Sequence, residues 1–400
     1  MNNSKKKVLV IGPLPPPIAG PEIVTKTLVE STEFNDTFDV DVINTTMKSN
    51  NVNKGKVDLF SVAKLAHYFL ILLYNLLLNR ADFIFYLPTS ATRAGWGRDG
   101  GTLFLCKVFR VKHALLFQGA HYSHFFTSLN VRERQLIKWL LKDALPFVQS
   151  ECLKEQLSSV ANIDKVVVLP NMVKRSFYKE FDSKNEQSEI RVLFVGHLTV
   201  AKGFNCLVKA FKLMKNPEKI CIDILGEYRK YSKNIQKNVL TGEELPNEDP
   251  KELYEKLLNQ EEKKQFNFHG DQVQGQQKVD VFKNADIFVL PSYSESFSTA
   301  MLEGMAAGLS TVVTPVGAAK DVVQNENNGL LIDIGSPESI ANVLDKLVVD
   351  QDLRERTALN ARRLVSERYC DDVVVKGLIN NINQFMSNDY ETSSTELSNR

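Results

Sequence analysis

Two glutamates eight positions apart are the residues best suited to chemistry in this sequence. Glu295 lies in a polar loop after an apolar run that ends at Leu290, and Glu303 lies in the second turn of a helix predicted to begin near Ser298. A carboxylate accepts hydrogen bonds from paired sugar or ribose hydroxyls, and amides at a helix start favour an anionic phosphate. Because ligands of open α/β sheets bind beyond the carboxyl ends of strands, the pattern predicts one site for both groups. Taken singly, each glutamate is better explained as a solvated surface acid.

A lysine follows a second apolar run. The run at 191–195 is followed by Gly196 and, after a short loop, by Lys202 and another glycine. Phosphate sites recur in loops of this kind after strands, so phosphate binding is favoured over a purely solvent-exposed role for Lys202.

The N-terminal loop at 12–30 follows the first apolar run and contains several prolines and Gly20. Gly20 allows close backbone approach, and the proline after it suits the first turn of a helix. The loop has neither the GKS or GKT of a P-loop nor a GxGxxG pattern, which argues against a nucleotide hydrolase or a dehydrogenase.

The window at 285–317 closely resembles the donor-site motif of the family-4 glycosyltransferases, which have the GT-B fold. That family shows a glutamate, a small residue, a phenylalanine and a second glutamate eight positions after the first, which here are Glu295, Ser296, Phe297 and Glu303. The resemblance implies that Glu303 holds the ribose of a nucleotide-sugar and that Glu295 contacts the transferred sugar as a catalytic residue. It also implies donor binding at the start of the helix, by Ser296 and by amides near Phe297, Ser298 and Thr299.

Three other segments resemble the same donor site. Gly196, His197 and Lys202 match a segment whose basic residues neutralise the donor diphosphate, although His197 stands where arginine is usual. The resemblance implies that Lys202 supplies most of the positive charge that neutralises the diphosphate and that it is catalytic. Gly20 matches the second glycine of a Gly-Gly pair, and Gly226 matches a strand-end glycine that flanks the nucleobase.

The acceptor side departs from the family. Members often carry a histidine at the end of a central strand, and here Gln118 occupies that position, followed by Gly119. Glutamine hydrogen-bonds a sugar hydroxyl but cannot act as an acid or base. Either His121 or His124 takes over a catalytic or binding role, or the position only orients the acceptor.

The elements that position these residues alternate between strands and helices in two successive series. Predicted strands lie at 8–11, 38–43, 83–87, 114–117, 147–148 and 166–169, and again at 191–195, 221–225, 265–268, 287–290 and 310–314. This alternation indicates doubly wound parallel sheets. The predicted α/β, GT-B organisation has two Rossmann-like domains that face a central cleft. Its parts are an acceptor-binding domain at 1–178, a linker at 179–190, a nucleotide-sugar-binding domain at 191–365, a helix at 366–386 that packs back on the first domain, and a disordered tail at 387–400.

Composition limits the class of protein and its compartment. The formal net charge is +1, which gives no overall attraction to nucleic acid, and the five scattered cysteines suggest neither disulfides nor a zinc site but a reducing, cytoplasmic location. The apolar stretch at 65–78 is too short to span a bilayer. It is interpreted as a buried helix or, alternatively, as one that rests on a membrane.

The resemblance implies a glycosyltransferase that moves a hexosyl or N-acetylhexosaminyl group with retention of configuration. The donor is a UDP- or GDP-sugar, and the acceptor is a saccharide, expected to be lipid-linked, in bacterial cell-envelope polysaccharide or glycan biosynthesis. No metal or other cofactor is expected, and the enzyme is placed in the cytoplasm with possible peripheral contact at the inner face of the plasma membrane. The alternative is a catalytically silent GT-B protein that binds a nucleotide or a partner.

Overall fold

A computed structural model of the chain describes most of its length. The described residues are 5–16, 20–46, 59–88, 91–119, 122–181, 189–228, 237–238, 242–271 and 273–387, with the backbone alone described at 59–62. His121, the central part of the predicted linker at 182–188, and the predicted tail beyond Ser387 therefore lie outside the described residues.

The chain divides into two compact units. The first comprises Met1–Asn171 together with Asp371–Arg400, and the second comprises Met172–Cys370. Each unit contains one six-stranded sheet whose strand pairs are parallel. The predicted α/β class with two doubly wound sheets is confirmed.

The inner strands of the first unit's sheet are apolar on both faces. Its strands are β1 (Lys6–Gly12), β2 (Phe38–Asn44), β3 (Phe83–Tyr86), β4 (Lys112–Phe117), β5 (Ala144–Val148) and β6 (Val167–Val168). Its connecting helices are α1 (Gly20–Glu30), α2 (Thr32–Thr37), α3 (Leu59–Leu77), α4 (Arg93–Val108), α5 (Tyr122–Ser128) and α6 (Val131–Leu141). The sheet order is β2-β1-β3-β4-β5-β6, and Val8, Val10 and Ile11 of β1 are fully buried because helices cover both faces.

The second unit repeats this plan. Its strands are β7 (Ile190–Val195), β8 (Ile220–Leu225), β9 (Phe266–Phe268), β10 (Ile287–Leu290), β11 (Ser310–Val313) and β12 (Leu330–Leu331). Its helices are α7 (Arg175–Lys179), α8 (Phe204–Leu213), α9 (Pro250–Leu257), α10 (Gln260–Lys263), α11 (Gly275–Lys283), α12 (Thr299–Ala306), α13 (Ala319–Val322), α14 (Pro337–Val349) and α15 (Gln351–Arg368). The sheet order is β12-β11-β10-β7-β8-β9.

The boundary between the units differs from the predicted one. The first unit ends at Asn171 rather than at residue 178, because the backbone N–H of Val173 donates to the carbonyl of Tyr369 at 2.8 Å. Arg175 also donates to the Ser366 hydroxyl at 2.9 Å, so the residues around α7 belong to the second unit.

The C-terminal helix returns to the first unit. Residues 366–368 complete α15, and a separate helix, α16 (Asp371–Ser387), follows. The Lys112 ammonium of β4 donates to the carbonyls of Phe385 and Met386 at 3.0 and 2.9 Å, which satisfies carbonyls left open at the helix end.

Gly304 of α12 lies directly against β10. A methyl group at this position would lie 2.6 Å from Cγ of the buried Phe288. We expect Gly304→Ala to lower the free energy of unfolding by about 1–3 kcal/mol, because overpacking forces core groups out of place. Gly377→Ala in α16, where a methyl meets no atom within 4 Å, is the control and should be neutral or slightly stabilising. Thermal unfolding followed by circular dichroism checks the pair, and equal Tm values would contradict the packing argument.

Candidate functional site

The strand order of the second sheet fixes where a ligand can bind. From the central strand β7 the chain proceeds to β8 and β9 on one side, and then to β10, β11 and β12 on the other. The adjacent strands β7 and β10 therefore lead into loops that diverge at their carboxyl ends. This is the switch point at which ligands of open α/β sheets bind, and it is where both donor-site segments predicted from the sequence lie.

Two glycines let the backbone segments at this edge approach one another. Gly203 has φ of +73°, and a Cβ there would lie 1.9 Å from the Pro291 carbonyl oxygen after β10. A Cβ on Gly226, after β8, would lie 1.9 Å from the carbonyl oxygen of Gly196, after β7. Any side chain at either position must displace backbone. Gly196 and Gly226, both predicted in the donor site, are thus brought together.

Hydrogen bonds hold the loop after β10 in one conformation. The Tyr293 N–H donates to the Ala201 carbonyl at 3.0 Å, and the Thr314 hydroxyl donates to the carbonyl of the fully buried Ser292 at 2.6 Å. The Ala318 N–H donates to the Ser296 carbonyl at 2.8 Å. The loop is therefore tied to the segments that follow β7 and β11.

The Tyr293 side chain anchors the same loop to α8. Its hydroxyl lies 3.2 Å from the Cys206 thiol, and burial raises the pKa of both groups above their usual values. Both groups therefore stay protonated at neutral pH and act as a neutral contact within the fold.

Lys202 and Glu295 meet at this edge although 93 residues separate them. The Lys202 ammonium donates a short hydrogen bond to Oε1 of Glu295, and the Ser292 hydroxyl donates to the same oxygen at 2.9 Å. Both side chains are partly buried, with 31% of Lys202 and 14% of Glu295 exposed. The arrangement offers a cation for phosphate oxygens beside a carboxylate for hydroxyls.

Glu303 is paired with a lysine that the sequence analysis missed. The Lys278 ammonium of α11 donates to Oε1 of Glu303 at 2.6 Å. The same ammonium lies 5.7 Å from the ring centre of Phe177 and 5.8 Å from that of Phe282. Lys278 belongs to no recognisable motif, and only the fold brings α11 beside α12.

Ser298 caps α12 at the edge of the site. Its hydroxyl accepts from the Met301 N–H at 3.2 Å, and Phe297 before it is buried against Tyr369, with ring centres 6.1 Å apart. The positive end of the helix dipole, at Thr299, therefore points to the region that Glu295 lines. Ser298 and Glu295 together line a small recess with Ser292 and Thr314.

His197 lies in the turn that leads from β7 to Lys202. Its carbonyl accepts from the Thr199 N–H at 2.9 Å, and the hydroxyl of Thr199 accepts from the Lys202 N–H at 3.3 Å. The turn therefore fixes the backbone of Lys202 relative to β7.

The predicted residues of the first unit follow two of its strands. Gly20 opens α1 after β1, and Gln118 and Gly119 follow β4. Both polar atoms of the Gln118 side-chain amide are buried, and neither has a hydrogen-bond partner among the described residues. A buried amide without partners costs about 1–3 kcal/mol, so a ligand that supplies them is favoured. His124 is exposed on α5, and His121 lies outside the described residues.

Comparison with known proteins finds a family match in the second half of the chain. Residues 176–364 match the family model described as glycosyl transferases group 1. An uncharacterized glycosyltransferase of Methanocaldococcus jannaschii is 29% identical over 248 residues, which cover 58% of this chain and 57% of that protein. The match thus spans little more than half the length of this relative.

Solved structures extend the likeness to nearly the whole chain. The sucrose-phosphate synthase of Thermosynechococcus elongatus superposes with a TM-score of 0.70 at 17% identity, over 96% of this chain and 100% of that one. Anabaena HepE in complex with UDP-glucose superposes with a TM-score of 0.65 at 14% identity, over 94% and 99%. At these identities the likeness concerns the fold alone, and it confirms the GT-B fold.

The Ser298 cap provides a stability test of the site. Ser298→Ala removes the acceptor for the Met301 N–H, and we expect it to lower the free energy of unfolding by about 0.5–2 kcal/mol. Ser336→Ala is the matched control, because Ser336 caps α14 in the same unit through a 3.1 Å bond from the Ser339 N–H. Urea unfolding should give losses of similar size for the two variants. An unchanged midpoint for Ser298→Ala alone would show that its cap does not hold α12.

Proposed function

We propose that this chain, whose residues 176–364 belong to the glycosyl transferases group 1, is a glycosyltransferase that moves a sugar from a nucleotide-sugar to a saccharide acceptor. The observation that carries the proposal is the meeting of Lys202 and Glu295 at the switch point of the second sheet. A phosphate-binding cation and a hydroxyl-binding carboxylate lie there side by side. Anabaena HepE, which shares the fold, was solved in complex with UDP-glucose, and this supports a UDP-sugar as donor over a GDP-sugar.

The donor is proposed to break the ion pair of Lys202 and Glu295 and to bind both side chains in its place. Its diphosphate takes the ammonium of Lys202, and Glu295 is then released to accept from hydroxyls of the transferred sugar. Because the Lys202 side chain is about one-third exposed, water screens its attraction to Glu295. Loss of this ion pair therefore costs on the order of 1 kcal/mol. Glu303, already oriented by Lys278, accepts from the ribose hydroxyls.

In the chemical step the site must stabilise a departing diphosphate. Lys202, the turn at Gly196 and His197, and the start of α12 supply positive charge and N–H donors where negative charge develops. Each well-aimed donor contributes about 2.7–4 kcal/mol to a transition state of this type. These groups are proposed to do so without a metal ion. Transfer with retention of configuration, in the manner of the family-4 enzymes, belongs to the same proposal.

The first unit is proposed to bind the acceptor. Gln118 presents a buried amide whose hydrogen-bonding capacity is unused within the described residues, and sugar hydroxyls both donate to and accept from an amide. Gly119 beside it leaves room for a ligand, and His121 and His124 are the proposed acid or base on this side. The acceptor is proposed to be a lipid-linked saccharide of cell-envelope polysaccharide biosynthesis, used at the cytoplasmic face of the membrane.

Nucleotide binding is the first test of the donor site. Titration calorimetry with UDP, GDP and ADP, without and with magnesium, should show metal-independent binding of UDP. Glu303→Gln should weaken that binding by roughly tenfold to a hundredfold, because it replaces a charged hydrogen bond worth about 1.5–3 kcal/mol. Glu326→Gln is the matched control, since Glu326 pairs with Lys346 at 2.7 Å in the same unit. No binding of any nucleotide would instead support a silent scaffold or another donor.

Turnover tests the role of Lys202. Lys202→Met should lower kcat for sugar transfer by on the order of 10²–10³, because it removes a donor to the leaving diphosphate. Lys212→Met, which breaks a 2.6 Å pair with Glu262 on the same unit, should leave kcat unchanged. Release of nucleoside diphosphate in the presence of acceptor measures both. Full activity of Lys202→Met would remove this lysine from the mechanism.

A further inference from the structure

Helix α3 exposes an apolar stripe to solvent. Leu70, Tyr74 and Leu77 follow one another at helical spacing and are 65%, 57% and 55% exposed, whereas Tyr68, Leu72 and Leu76 on the opposite side are buried. The helix contains no acidic residue and a single lysine. One side of the helix thus packs in the first unit, and the opposite side has no cover within the described residues.

Two neighbouring helices continue this stripe. Gly101 of α4 brings that helix against α3, since a Cβ there would lie 2.7 Å from the ring of Phe69. On the far side of α4, the Lys107 ammonium lies 4.9 Å from the ring centre of Trp139 on α6. Six of the apolar residues exposed on these three helices make up what we call the apolar face: Leu70, Tyr74, Leu77, Phe104, Val108 and Trp139.

The exposed apolar side chains of the first unit are concentrated on these three helices. Within the described part of the first unit, all nine exposed large hydrophobic residues lie on α3, α4 or α6 or directly after α3. Single exposed hydrophobics need no explanation, but a group of them on adjoining helices indicates an interaction surface.

The charge of the same helices indicates what kind of partner fits. Helices α3, α4 and α6 contain seven lysines and arginines against two acidic residues, and one oppositely charged pair among these, Arg98 and Asp99, is buried. The whole chain has a net charge of only +1, so positive charge is concentrated here. Arg132 and Lys138 of α6 are exposed. The partner should therefore be negatively charged.

We propose that α3, α4 and α6 form a docking surface for an anionic lipid bilayer. Aliphatic side chains together with Trp and Tyr, bordered by lysine and arginine, suit the boundary between headgroups and acyl chains. A second copy of the chain docking through the same face would bring two positively charged surfaces together, which disfavours self-association. No helix of the described residues is long and apolar enough to cross a bilayer, so the contact is peripheral. The docking surface does not depend on the proposed transfer reaction.

Vesicle flotation tests the docking surface directly. The full chain should float with phosphatidylcholine vesicles that contain about 30 mol% phosphatidylglycerol and much less with phosphatidylcholine alone, and binding should fall as salt rises. The double variant Arg132→Glu and Lys138→Glu should lose the preference for anionic vesicles. Failure of the unmodified chain to float with anionic vesicles would overturn the proposal.

A matched pair of variants locates the contact. Replacing Leu70, Tyr74 and Leu77 by serine should lower the partition coefficient at least about tenfold. The control replaces Val349 and Leu359 of the second unit, which are 70% and 69% exposed, and should bind as the parent does. Unchanged nucleotide affinity in both variants would show that the donor site is intact, which separates this test from that of the proposed function. Equal losses in the two variants would overturn the assignment to α3.

Tryptophan fluorescence gives an independent reading. The chain has two tryptophans, of which Trp96 is buried and Trp139 is 47% exposed on the apolar face. Anionic vesicles should shift the emission to shorter wavelength, and Trp139→Phe should abolish that shift. If the emission does not respond to vesicles, while sedimentation shows a dimer that the triple serine variant loses, the face binds a second copy and the lipid proposal is overturned.

Discussion

The close approach of the segment after β7 to the segment after β10 is the constraint on which the candidate site depends. Gly203 fits under the Pro291 carbonyl only because it has no side chain, and the Tyr293 N–H binds the Ala201 carbonyl across the same gap. These contacts bring Lys202 to Glu295. The chemistry of the site thus follows from a backbone fit between two neighbouring strands whose connections run in opposite directions.

Much of the fold could be predicted because buried parallel strands leave a clear trace in the sequence. Short apolar runs followed by glycine or proline mark β1, β3, β7 and β10, and the spacing of Glu295 and Glu303 places one on a loop and the other on a helix. Lys278 could not be found in this way. Its role depends on the fold bringing α11 within side-chain reach of α12, and nothing in its local sequence distinguishes it from other helix lysines.

Two other features also lie beyond sequence patterns. The end of the first unit at Asn171 is fixed by a backbone bond between Val173 and Tyr369, and backbone bonds of this kind are independent of residue type. Helix α3 is apolar on two opposite sides, so periodicity leaves open whether it is buried or rests on a membrane. The fold buries Leu72 and exposes Leu70, and only three-dimensional packing could make that choice.

The two lysine–glutamate pairs also bear on which anions the site admits. Lys202 and Lys278 each already have a carboxylate partner, so neither presents a bare positive charge. Inorganic phosphate that displaces Glu295 gains one cation and leaves a partly buried carboxylate without its charged partner, with the Ser292 hydroxyl as its remaining donor, which is unfavourable. A ligand that joins phosphate to a polyhydroxyl group satisfies both members of the broken pair. Mutual neutralisation of the two side chains would thus favour a molecule that carries both kinds of group over a simple anion.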